Sequence, residues 1–356
     1  MKRQLLGVAA ILLSISTYAQ DNPLWMRYCA ISPDGTTIAF TYKGDIYTVP
    51  STGGRASQIT TNPAHDTKPI WSPDGKKIAF ASDRMGSMDI FEVNKEGGIP
   101  KRLTTHSGNE TPVAYKDAGH ILFLANIMPT AEDAQFPSGQ FQQVYEVNTE
   151  GGRPILFSSM PMEDISINHT GNTLLYHDKK GYEDPWRKHH TSSITRDIWL
   201  CSLNGNRTFR KQTAFNGEDR TPVWASDDKS FYYLSEEKGS FNIFKRDIDG
   251  NTSKQITNHT KHPVRFLSAA SNGTLCYGYD GEIYTVKEGA IPQKVQISIV
   301  TDKNDKDLIR QIKRSGATEI SLSSDAKEIA FVLRGDVYVT STEYSTTKQI
   351  TNTPQQ

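Results

Sequence analysis

The stretch "WSPDGKKIAFASDR", residues 71–84, decides the fold. Pro73 presets the first corner of a type I turn, Asp74 tolerates the second, and Gly75 suits the left-handed position that follows. Such a turn joins two strands as a bulged hairpin, the second strand carrying the apolar run Ile78-Ala79-Phe80. Nearly the same words stand earlier as "ISPDGTTIAF" (31–40), so the stretch is a unit that recurs.

It recurs along the whole chain. The Trp71 position is matched by Ile31, Ala114, Ile167, Trp224, Ser268 and Leu322, and an apolar triplet follows seven residues later in all seven copies. A second word comes next: "DIYTV" (45–49), "DIFEV" (89–93), "QVYEV" (143–147), "DIWLC" (197–201), "NIFKR" (242–246), "EIYTV" (282–286) and "DVYVT" (336–340). Paired glycines follow at Gly53-Gly54, Gly97-Gly98 and Gly151-Gly152, then "QIT" or "RLT" in four copies. Each copy reads as four short strands, and a four-stranded unit of roughly 40 residues matches a β-propeller blade. The anchor spacing of 40, 43, 53, 57, 44 and 54 fits blades with variable loops better than a solenoid of fixed period. The fold class is therefore all-β, a β-propeller.

The extra length is localised between the second and third strands. Triplet and second word are 7 residues apart in copies 1, 6 and 7, 11 in copies 2 and 5, and 22 and 23 in copies 3 and 4. The two long loops, about 126–141 and 177–195, are expected to project from one face of the ring, where a rigid scaffold presents binding loops.

Composition narrows the function classes. Forty basic and 40 acidic residues cancel, which leaves no footprint for nucleic acid or an anionic membrane. The N-terminus "MKRQLLGVAAILLSISTYAQ" has Lys2 and Arg3, an apolar core from Leu5, and small residues at Thr17 and Ala19. It reads as a secretory signal peptide over 1–19, too short in its apolar run for a membrane span, which predicts an exported, periplasmic or secreted chain. Cys29, Cys201 and Cys276 are odd in number and widely spaced, with no CxxC. Cys276, inside "TLCYGY", reads as a small buried hydrophobe.

"SPDGKKIAF…DIF…GG…RLT" resembles the repeat of TolB-type and tricorn-type propellers. "YHDKKGYEDPWRKHHTSSITRDIW" (176–199) and "ISIVTDKNDKDLIRQIKRSGATEISLSSDAKEIAF" (297–331) resemble the N-terminal region of tricorn-like serine peptidases. The resemblance covers essentially the whole mature chain. It implies six four-stranded blades plus one extra C-terminal blade, the alternative being a single seven-bladed ring. The expected organisation is a six-bladed propeller over 20–302, a linker over 303–317, and the first blade of a second, truncated propeller over 318–356. The family's protease chemistry lies after both rings, flanking a PDZ module, in domains expected to be missing from this chain. An arginine pair before the third blade holds the peptide C-terminus in that family. The matching loop here, "THSGNETP" (105–112), has no arginine, so that role is not carried over.

No catalytic residue is read from the sequence, which has no G-x-S-x-G, no H-E-x-x-H and no phosphate loop. No cofactor is expected. "DIDGNTSKQ" (247–255) reads as a turn, since it lacks the later bidentate Glu of a calcium loop. The candidate ligand-binding residues lie in the fourth-copy loop: Trp186, Arg187, Lys188, His189, His190 and Arg196. Arg187, Lys188 and Arg196 would meet peptide carboxylates, which guanidinium pairs bidentately. The alternative is that Trp186 packs on a neighbouring blade while the charges pair internally or face water. A metal site from His177, His189 and His190 is disfavoured because adjacent histidines on an extended chain point to opposite faces.

Two functions follow. One is a non-catalytic propeller of an exported tricorn-like peptidase, gating or channelling peptides towards protease domains. The other is a stand-alone exported TolB-like propeller that binds a protein or glycan partner. No nucleic acid and no membrane span are expected, and homo-oligomerisation is left open.

Overall fold

The computed structural model describes residues 23–127, 141–182, 184, 186, 191–300 and 313–351. They form seven four-stranded antiparallel sheets, each with its strands in chain order. The innermost strands are Arg27–Ile31, Asp66–Trp71, Thr111–Asp117, Met162–Ile167, Asp219–Trp224, Arg265–Ala269 and, in the last sheet, Thr318–Leu322. Among the described residues no helix is long and apolar enough to cross a membrane.

The repeated words each have a mechanical job. In the turn, Gly75 donates to the Ser72 carbonyl at 2.9 Å and adopts φ 68°, the left-handed corner that favours glycine. Ser72 Oγ donates to Asp74 Oδ1 at 2.7 Å and accepts from the Lys77 amide at 2.9 Å, so the word "SPDG" ties its own hairpin. Ile78, Ala79 and Phe80 are fully buried, because the second strand of a blade is covered on both faces by its neighbours. The threonine of "QIT" and "RLT" accepts from the second amide of the third strand: Thr60 Oγ1 from Ile46 and Thr104 Oγ1 from Ile90, both at 2.9 Å. Ile243 and Thr257 repeat this bond at 2.9 Å.

The register corrects two alignments. Trp71 pairs with Ile78, but Ile121 pairs with Tyr115 and Leu275 with Ala269. Tyr115 and Ala269, rather than Ala114 and Ser268, therefore occupy the Trp71 position, and these two hairpins are one residue shorter.

Six core clusters lie at the seams between successive blades. Trp71 and Phe80 of the second blade pack with Ile46 of the first, and Cys29 and Phe40 of the first pack with Cys276 and Ile283 of the sixth. The ring is thus closed by six blades. Met26 donates to Gly281 O at 3.1 Å and Ser271 to Pro33 O at 2.9 Å across the closing seam. Beyond the sixth blade, Ile297-Ser298 pairs in parallel with Gly54-Arg55. Gly53 explains the first of the paired glycines: at φ 92° a Cβ there would stand 2.6 Å from Gln296 O.

The seventh sheet stands outside this ring. Ile320 and Leu322 are 70% and 57% exposed, whereas Cys29 and Ile31 at the same positions of the first blade are each 4% exposed. Arg334 reaches the ring, donating to Lys43 O at 2.5 Å and Pro63 O at 3.4 Å.

Candidate functional site: the ring channel

The inner strands surround a channel of about 680 Å³. Each strand carries a bulge near its start, and the bulged residue turns left-handed: Tyr28, Lys68, Asp164, Thr221 and Phe266 have φ between 48° and 57°. A bulge re-aims a side chain, and all five of these residues line the channel. In the third blade Pro112 stands at this place, and its ring forbids positive φ. For β-branched Thr221 the conformation costs ~1–3 kcal/mol. Its surroundings hold it there: Thr221 Oγ1 donates to Asp164 Oδ2 at 2.6 Å and its amide to His177 Nδ1 at 3.2 Å.

The channel wall is chemically two-sided. On the fourth-blade side Glu163 meets His177 Nε2 at 3.3 Å, Lys179 Nζ at 2.7 Å and Arg196 Nε at 3.5 Å. Burial opposes ionisation of Glu163, but the His177 hydrogen bond and the nearby charge of Lys179 outweigh it and hold the carboxyl well below its usual range. On the opposite side Tyr28 and Phe266 lie 4.8 Å apart, and Lys68 Nζ stands 5.7 Å over the Tyr28 ring. Burial pulls the Lys68 ammonium below its ordinary range, against the attraction of Asp164 and Glu163.

Trp186 crosses from the fourth-blade loop to the other side of the mouth. Arg265 donates to its carbonyl at 2.6 Å, and the indole sits between the Arg265 and Arg27 guanidinium groups at 5.0 and 5.2 Å. Its ring meets Phe266 edge-on at 6.1 Å. Burial, and then Arg220, lower Arg265 to about 10.

Of the residues expected from the sequence, Trp186 and Arg196 both line the channel. Arg196 is buried, and its NH1 donates to Glu218 Oε1 at 3.0 Å, so its charge is engaged within the ring. Arg187, Lys188, His189 and His190 lie outside the described residues. Sequence reasoning missed the bulge residues, because Tyr, Lys, Thr and Phe carry no left-handed preference. The signal was positional: they stand three residues ahead of the Trp71 position. The channel serines are engaged at the seams, Ser268 Oγ accepting from the Ile31 amide at 3.0 Å and Ser166 Oγ from Trp224 at 3.3 Å.

The family model for the tricorn protease N-terminal beta propeller domain matches residues 23–290. The chain belongs to this family. Tricorn protease homolog 1 of Streptomyces coelicolor is 25% identical over 281 residues, covering 78% of this chain and 25% of the relative. The tricorn protease homolog of Saccharolobus solfataricus is 27% identical over 330 residues, covering 88% and 28%. The crystal structure of the tricorn protease superposes with a TM-score of 0.67 at 20% identity, covering 93% of this chain and 31% of that one. The tricorn-type propeller described here thus spans between a quarter and a third of the length of these proteins.

Proposed function

We propose that this tricorn-type propeller is the non-catalytic part of an exported peptidase and channels peptides through its ring towards protease domains. The carrying observation is the channel itself, into which five inner strands turn a left-handed bulge residue, with Trp186 across the mouth. Aromatic faces and opposed charges offer an extended peptide stacking, cationic and anionic contacts without selecting one sequence. Export rests on the signal-peptide reading of residues 1–19. On this reading 303–317 is a linker, and the sheet from Thr318 onward begins a second ring, which would cover Ile320 and Leu322. The relatives' names associate them with proteolysis, and that activity is carried over here only as part of this proposal.

The test is a titration of the purified chain with a peptide panel, following tryptophan emission, alongside fluorogenic peptides for turnover. Saturable peptide binding that Trp186→Phe alters, with no turnover, supports the channel. Turnover that tracks the protein through purification, or capture of a glycan or folded protein in place of any peptide, overturns it.

A further inference from the structure

The joint between the first and sixth blades differs from one made by sharing a sheet. The first sheet is drawn wholly from residues 27–58 and the sixth from 265–294, so no strand of one blade completes the other. Within the core of that joint lie Cys29, on the innermost strand of the first blade, and Cys276, on the second strand of the sixth, 4% and 0% exposed. Ser268 Oγ lies 3.5 Å from the carbonyl oxygens of both cysteines, which places their backbones on either side of one hydroxyl. The Cys29 thiol is directed across the seam, with Sγ 3.5 Å from Phe266 O of the sixth blade. Cys201 lies in a different core cluster, between the third and fourth blades.

We propose that Cys29 and Cys276 form a disulfide that covalently closes the ring across this seam. Each thiol gives up a proton, one sulfur–sulfur bond forms, and two electrons pass to a disulfide donor, which leaves as two thiols. The two-electron acceptor is a small disulfide of the kind found in oxidising compartments, such as oxidised glutathione. The attack requires a thiolate, and in the closed ring burial, followed by the Cys29 contact, holds the Cys276 thiol well above its ordinary range. Oxidation therefore proceeds while the seam is open, during folding, and closure then shields the bond from reductants.

The full chain is purified reduced and exposed to graded glutathione redox buffers, once folded and once during refolding from denaturant. Samples are acid-quenched and alkylated without reduction, and their peptides mapped by mass. The expected result is a linked Cys29–Cys276 peptide with Cys201 alkylated, and an unfolding midpoint that rises on oxidation and falls back on reduction. Cys276→Ser should show neither the linked peptide nor the shift. Three alkylated thiols in the most oxidising buffer under both regimes, or a cross-link through Cys201, overturns the proposal. The wild-type oxidised and reduced forms decide it without the variant.

Discussion

Trp71 Nε1 donates to Ala30 O at 2.8 Å, so the indole at the head of the second blade is bonded to the inner strand of the first. Trp224 does the same one half-turn of the ring away, donating to Ser166 O at 3.0 Å. Trp71→Phe should lose about 2–3 kcal/mol, since it strands a buried carbonyl and leaves a void. The double variant with Trp224→Phe should be additive within ~0.5 kcal/mol, because the two seams share no partner. Urea midpoints at constant slope check both.

Thr104→Val should cost about 1–3 kcal/mol, because the buried Ile90 amide loses its acceptor at nearly constant side-chain volume. Hydrogen exchange of the Ile90 amide should accelerate while amides in distant blades keep their protection. Equal acceleration everywhere would refute a local role.

Gly53→Ala combines a φ of 92° with a Cβ 2.6 Å from Gln296 O, so the segment 296–298 must move off the first blade. The variant should become sensitive to proteolysis near residue 297 while the other seams stay resistant. Unchanged cleavage there would show that the parallel pairing does not clip the ring.

Burial pushes Asp219 up to about 7, against the opposing influence of the Ser235 and Thr213 hydroxyls, and pushes Glu110 up to about 7 against that of Thr104. Both are raised above their unfolded values near ~4, so their contribution is complete below about pH 4 and is lost as pH rises through about 7. Stability should fall between about pH 4 and pH 7 and level off above that, by as much as ~1.4 kcal/mol per pH unit for each group. Asp219→Asn should flatten part of that slope, measured by urea midpoints at the two ends.

Trp186 is 46% exposed, so Trp186→Ala should change stability by less than ~0.5 kcal/mol. Its place between Arg27 and Arg265 predicts a several-fold change in peptide affinity. A shift in unfolding without a change in binding would make it a packing residue only.

The repeat was legible because its words are short-range devices. Ser72, Asp74 and Gly75 act within one hairpin, and Thr60 acts on Ile46 within one blade. The register failed at Tyr115 and Ala269 because a hairpin shortened by one residue leaves the apolar triplet intact and moves only its partner. The channel was half legible. Loop length pointed to Trp186, but the Arg196–Glu218 pair depends on how the fourth blade packs on the fifth, and the meeting of Cys29 with Cys276 on closure of the ring, neither of which composition and spacing along the chain encode.

The parallel clip at Ile297-Ser298 and Gly54-Arg55 means that the polypeptide leaves the ring along the rim of its own first blade. A pull transmitted through residues beyond 300 is therefore borne in shear by that two-residue ladder before it reaches the sixth blade. The tether and the closing seam of the circle coincide. Motion elsewhere in a longer polypeptide would act first on the seam where the two ends of the ring meet.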